Sequence, residues 1–297
     1  MKKNKVRFSI VGPGRVGSSI GKALEKKGWH CSSIVHKDDT HADLRALKFN
    51  FPHSRVTSLT EELNSDFDVL LITVTDDAIK EIASRLASMK DFNWRGKIIF
   101  HFSGVVELKI LSDLKRLGAH VGALHPIAPF ARRFAPRRAE GTYYDFLGDR
   151  EALSVARKVT KALNSKLLVL NSERERVLLH LASVIASSTV VIAMRSAESM
   201  ISNFMEPKDS KMVLNRLLSS TVQNLSTVDD MEALTGPLKR GDLEVIAKHI
   251  KALENNERFL QFYKSTSLLG IDALLRNARD ESEKIRLKKI EKLLEGK

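Results

Sequence analysis

Apolar positions in the first half of the chain fall into short runs separated by amphipathic stretches, and this alternation predicts strands interleaved with helices. Val6-Arg7-Phe8-Ser9-Ile10-Val11 reads as the first strand. Further strands are predicted at Cys31 to Val35, Val56 to Leu59, Asp68 to Thr75, Lys97 to Phe102, Val121 to Leu124, Thr142 to Leu147 and Leu167 to Leu170, with helices at about 18–27, 76–89 and 106–117. From Glu173 onward the apolar period becomes 3.6 and stays there. The pattern predicts an α/β chain: a doubly wound, mostly parallel sheet over residues 1–172, followed by an all-helical domain over residues 173–297.

The first strand runs directly into Gly12-Pro13-Gly14-Arg15-Val16-Gly17. A glycine-rich turn between a buried strand and a helix lets the backbone approach a pyrophosphate, which free N–H groups and the positive end of the helix dipole then hold. Gly12 would make the tight turn, Gly14 would admit the pyrophosphate, and Gly17 would let the helix pack on its strand. The hexad alone is a weak signal; the strand before it and the helix pattern after it give it meaning.

The second strand ends at Val35, and His36-Lys37 follow where an acidic ribose-binding residue would otherwise stand. With Arg15 in the turn they favour a 2′-phosphate, hence NADP over NAD; alternatively they are a surface pair and Asp38 reaches the ribose. Val74-Thr75-Asp76-Asp77 and Ser103-Gly104 follow two further strands, where ligands of a doubly wound sheet collect. Asp76 or Asp77 is expected to cap the next helix. His125 precedes a proline, so its backbone is held extended.

In the helix that starts at Glu173, Arg176, His180, Ser183 and Ser187 share one face, while the rest of its circumference is apolar. That face suits either the lining of a ligand cleft or helix packing with serines bonded back to the backbone; the apolar sides are expected to be buried. Farther on, Lys239, Arg240 and Asp242 follow a Gly-Pro break, where they could clamp an anionic substrate or, for Asp242, cap a helix.

The chain has 297 residues, and 49 Lys and Arg against 36 Asp and Glu give a formal charge of +13, which favours anionic partners. The basic residues are scattered apart from Arg132, Arg133, Arg137 and Arg138 and the Lys284 to Lys292 segment, and aromatics are few, so nucleic-acid binding is not expected. Neither a metal site nor a membrane span is expected: Val177 to Met194 is apolar, yet it includes His180 and several hydroxyls. A single cysteine, Cys31, and the lack of a long apolar leader point to the cytoplasm.

Taken together, the glycine turn, Thr75-Asp76-Asp77-Ala78-Ile79, His101 to Gly104, His125-Pro126 with Phe130, His180, Leu234-Thr235-Gly236-Pro237, Arg240-Gly241-Asp242 and His249 resemble a family of predicted oxidoreductases. Its members join a Rossmann-like NAD(P)-binding domain to a helical domain of unknown function, within the wider 6-phosphogluconate dehydrogenase-like and pyrroline-5-carboxylate reductase-like group. The resemblance implies cofactor binding and helix-mediated homodimers. The family commonly carries Lys, Tyr-His and Asn along the long helix, where this chain has Arg176, Leu179-His180 and Ser188. The resulting expectation is an NADP-dependent reductase or dehydrogenase acting on a small anionic carbonyl, imine or hydroxy acid between the domains. His180 or His125 would carry the proton, and Arg176 and Arg240 the substrate charge. The alternative is a non-catalytic NADP(H)-binding sensor or scaffold.

Overall fold

The structure, a computed structural model, describes residues 5–37, 41–58, 66–228 and 230–296. Eight strands, β1 (Arg7–Val11), β2 (His30–His36), β3 (Arg55–Ser58), β4 (Val69–Ile72), β5 (Ile98–His101), β6 (His120–Ile127), β7 (Tyr143–Gly148) and β8 (Lys166–Val169), form one sheet in the order β3-β2-β1-β4-β5-β6-β7-β8. All neighbours are parallel except β6 and β7. The carboxyl ends of β1, β2, β4, β5 and β6 therefore share one edge, where the glycine turn and the residues following each strand come together.

Helices α1 (Arg15–Lys26), α2 (His41–Asn50), α3 (Ile79–Ala87), α4 (Ser112–Arg116) and α5 (Arg150–Ala162) cover the sheet. One face carries Phe8, Ile10, Ile20, Leu24, Phe100 and Phe146 in its core, and the other Leu70, Ile72, Ile82, Trp94, Ile99 and Leu114. Helix α1 forms because Ile20, Ala23 and Leu24 recur on one side and are buried at 0% exposure. Burial of each large side chain there contributes about 1.5–3 kcal/mol.

Helix α5 is absent from the sequence expectation although its period is clear: Ala152, Ala156, Val159 and Thr160 form its inner face and charged residues fill the other, so the segment as a whole is polar. Helix α2 is likewise an addition. Strand β4 ends at Ile72 instead of Thr75, which leaves Thr73 to Thr75 as the turn that meets the glycine loop.

Helix α6 (Glu173–Val184) starts at Ser172, whose hydroxyl accepts from the Glu175 amide at 3.2 Å. It passes through a π-helical turn at Ile185–Thr189 into α7 (Val190–Ile201). Compact units divide inside this helix, at Met1–Ser188 and Thr189–Lys297, so its first half folds with the sheet. The expected burial of its apolar sides is overturned: Val177, Leu178, Leu181, Val184, Ile185, Val191 and Ile192 are exposed, whereas Arg176 on the polar face is fully buried. The polar side is the one drawn inward, because it finds hydrogen-bond and ion-pair partners on the sheet domain. By length and composition alone, the helix Glu173–Ile201 could cross a membrane.

The second unit continues with α8 (Pro207–Thr227), α9 (Asp230–Ala233), α10 (Pro237–Arg240), α11 (Leu243–Ala252), α12 (Glu257–Arg276) and α13 (Glu281–Glu295). Its core is Ile246, Ile271, Leu274, Leu287, Ile290 and Leu294.

Candidate active site

Each glycine of the opening turn meets a different physical demand. Gly12 has φ +87°, and a Cβ there would lie 2.5 Å from a Val74 methyl. At Gly17 a Cβ would strike the Thr73 hydroxyl at 2.1 Å and the Gly12 carbonyl at 2.7 Å, so the helix can sit on its strand only without one. A Cβ on Gly14 would meet nothing within 4 Å, which leaves space directly over the start of α1.

Gly14 is the N-cap residue, no side chain caps the helix, and no acid stands in its first turn. Its first amides are thus set up for an anion. Thr73 secures the turn by donating its hydroxyl to the Gly12 carbonyl at 2.6 Å, a role not assigned from the sequence. Pro13 is buried, Val16 half-buried and Arg15 exposed.

His36 is buried at the end of β2, its Nδ1 against the Lys37 carbonyl, and the Lys37 side chain is exposed. Asp38 lies outside the described residues. After β4, Thr75 takes the N-cap position of a short 3₁₀ turn at Asp76–Ala78, so neither aspartate caps α3 as expected. Both fall inside the turn because the chain tightens one residue early. Thr75 and backbone N–H groups hold the Asp77 carboxyl below its ordinary pKa.

Three histidines, one aspartate and one arginine meet at the ends of β5 and β6 and on the neighbouring β7. His125 Nδ1 lies 2.8 Å from Asp145 Oδ2, and Asp145 sits on β7, paired with His125 in the antiparallel register. The His125 and His180 rings meet edge-on with centroids 5.4 Å apart. Gly104 makes this possible, since a Cβ there would fall 2.5 Å from His180 Nδ1 and 3.1 Å from His125 Cε1. Burial, then the neighbouring His125, holds the His180 pKa below its usual value. His101 is fully buried, with both ring nitrogens lacking hydrogen-bond partners. Burial, Arg176 and His125 lower its pKa to about 3, so it is neutral.

Arg176 does not offer a free charge to a substrate, contrary to expectation. Its guanidinium donates to the Val106 carbonyl at 2.9 Å, to Glu173 Oε2 at 2.8 Å and to the Ser103 carbonyl, and its Nε is 3.6 Å from Asp145 Oδ1. Glu173 also accepts from the Leu108 amide at 2.7 Å. Together they clamp the loop after β5, inside which the Ser103 hydroxyl accepts from the amides of Val105 and Val106.

His125, Pro126, His180, Ser183 and Ser187 line a cavity of about 550 Å³ that lies wholly within the first unit. Ser183 and Ser187 donate back to the carbonyls of Leu179 and Ser183, so their hydroxyls satisfy the helix while their side chains face the cavity. Arg240 belongs to the second unit, where it pairs with Asp242 at 2.8 Å; Asp242 holds the N-cap position of α11, but its carboxylate serves Arg240 instead of the cap. Lys239 donates to the Met231 carbonyl. Asp145, missed from the sequence, and His101, given no role there beyond the His101 to Gly104 segment, lie in strands β7 and β5, whose pairing in the sheet brings them to the histidine cluster.

A Rossmann-like domain model matches residues 1–126, and the model of a domain of unknown function (DUF2520) matches residues 143–269. The chain joins a Rossmann-like domain to a DUF2520 domain. The DUF2520 match begins at β7, so Asp145 belongs to that segment although β7 pairs into the Rossmann-like sheet.

No curated protein matches the chain. Among solved structures it is similar to a provisionally named NADP oxidoreductase from Bacteroides fragilis, at 19% identity and TM-score 0.72 over 89% of this chain and 96% of that one. It is also similar to a reductive aminase from Aspergillus terreus in complex with NADPH (13%, TM-score 0.61, 95% and 99%). A third is the pyrroline carboxylate reductase of Plasmodium falciparum with NADP bound (13%, TM-score 0.58, 95% and 98%). At these identities the shared property is the fold.

Proposed function

We propose that the protein is an NADP-dependent reductase or dehydrogenase that moves a hydride to or from a small anionic carbonyl, imine or hydroxy acid. The observation that carries this reading is the placement of the open glycine turn and the His125–Asp145 pair on the same edge of one sheet. They stand at β1 and β6, three strand spacings or about 14 Å apart. The space over Gly14 and the uncapped amides of Arg15 and Val16 fit a pyrophosphate, and the fold is shared with proteins that bind NADP or NADPH.

When bound, NADP supplies or takes the hydride. The chain binds and orients: Gly12 to Gly17 hold the pyrophosphate, His36, Lys37 and Arg15 the 2′-phosphate, and Val74, Thr75, Ser103 and Gly104 bound the nicotinamide end. Asp145 fixes the proton of His125 on Nδ1, which leaves Nε2 to carry the reaction's proton. The neutral His180 closes the cavity beside it, and Arg176 is a positioning residue that holds the loop from Ser103 to Val106.

Fluorescence titration with NADPH and NADH, followed by a screen of oxo acids and imines for cofactor oxidation, tests the reading. Turnover supports it, binding without turnover assigns a sensor or scaffold, and absence of binding removes both. His125→Asn is expected to lower kcat by about 10²- to 10⁴-fold with cofactor affinity retained.

The exposed apolar side of α6 and α7 supports a homodimer through this helix. Light scattering behind size exclusion checks it: Leu181→Glu should yield monomers, and a wild-type monomer would end the dimer reading.

A further inference from the structure

The 15-residue connection from β6 to β7 carries Arg132, Arg133, Arg137 and Arg138, and it is fastened to the glycine turn through two serines. Ser18 donates its hydroxyl to the Gly14 carbonyl at 2.5 Å and accepts from the Phe134 amide at 3.1 Å. Ser19 does the same between the Arg15 carbonyl, at 2.5 Å, and the Ala135 amide, at 3.1 Å. Phe134 has φ +53°, an unusual conformation for a residue with a side chain, held by these contacts. The residue just before it, Arg133, is thereby delivered to α2, where its Nη1 lies 2.5 Å from Asp43 Oδ1 in the first turn. Its Nε is buried without an acceptor.

The corner between the start of α1 and the start of α2 thus carries Arg15, Lys37 and Arg133. An aspartate in the first turn of α2 disfavours a phosphate there, and the Arg133 guanidinium offsets its charge. We infer that Arg133, reaching in from the β6–β7 connection, is a specificity-determining residue that exchanges its Asp43 partner for the 2′-phosphate of NADP. The inference rests on the NADP reading above. The guanidinium holds the Asp43 carboxylate through Nη1 alone and keeps further donors for a phosphate, and its unsatisfied Nε favours that exchange.

Equilibrium binding of NADPH and NADH to the full chain, followed by cofactor fluorescence, tests this without any turnover. Arg133→Met should weaken NADPH by about tenfold to a hundredfold and leave NADH nearly unchanged. Asp43→Asn separates recognition from scaffolding. If Arg133 only anchors the loop to α2, both variants lose NADPH alike; if it grips the phosphate, Asp43→Asn keeps or raises the NADPH preference. Parallel loss in the two variants, or an unchanged ratio in Arg133→Met, overturns the inference while the NADP reading stands. If neither nucleotide binds the wild type, both fall.

Discussion

Two stretches of the sheet's carboxyl edge, at β1 and at β5 and β6, are built from different materials. At β1 the site is backbone: three glycines, open amides and one hydroxyl, Thr73, that locks the turn. At β5 and β6 it is side chain: His101, His125, His180, Asp145 and Arg176, most of them buried and partnered across elements distant in sequence. A backbone site depends on conformation and clearance, which a local sequence specifies. A side-chain site depends on long-range pairing and burial, which it does not. The first should therefore fail sterically when altered, and the second electrostatically.

The largest effect is expected at Arg176. Arg176→Met leaves Asp145 and Glu173 without their buried partner, and urea unfolding should show a loss of about 3–5 kcal/mol. A loss under 1 kcal/mol would mean that the network contributes little at the histidine end.

At the glycine end Gly17→Ala forces a methyl onto the Thr73 hydroxyl and the Gly12 carbonyl. The expected cost is about 1–3 kcal/mol, with NADPH binding lost as the turn shifts. The double variant Gly17→Ala with Thr73→Ala removes one of the two clashes and should recover part of the stability; no recovery would place the strain elsewhere.

His101 adds a pH signature confined to the histidine end. Its pKa is about 3 when folded against 6.5 as the unperturbed value, so the unfolded chain binds the extra proton between those limits. The stability it supports is complete above pH 6.5 and falls as pH drops toward 3, by about 1.4 kcal/mol per pH unit once the unfolded histidine is charged. Denaturant midpoints across that window should flatten in His101→Phe; an unchanged slope would show that other groups carry the acid sensitivity.

The smallest effect belongs to Ser183, whose hydroxyl already returns to the Leu179 carbonyl. Ser183→Ala should change thermal stability by no more than about 0.5 kcal/mol. A larger loss would make the serine seam part of the packing at the histidine end.

The legible part of the molecule was local. Strand runs such as Val69–Ile72 and the β1 turn declare themselves through period and glycine placement, and the switch to helix at Glu173 matches α6. Helix α5 went unread although its period is clear, because the segment as a whole is polar and its inner face is largely alanine. Arg176 reads in the sequence as a holder of substrate charge because a helical face specifies which residues share a side, not which partners meet them. Exposed Val177 and Leu181 show the same limit from the other direction.

What the amino-acid order alone determined is the alternation that builds the sheet and the glycine turn at its edge, since both follow from nearest-neighbour sterics and the 2.0 and 3.6 periods. Only the tertiary structure decided that Asp145 meets His125, that Arg176 is spent on Ser103 and Val106, and that Arg133 reaches Asp43. Those contacts join residues far apart in the chain, and they exist because strand pairing and burial bring opposite charges and hydrogen-bonding groups within reach.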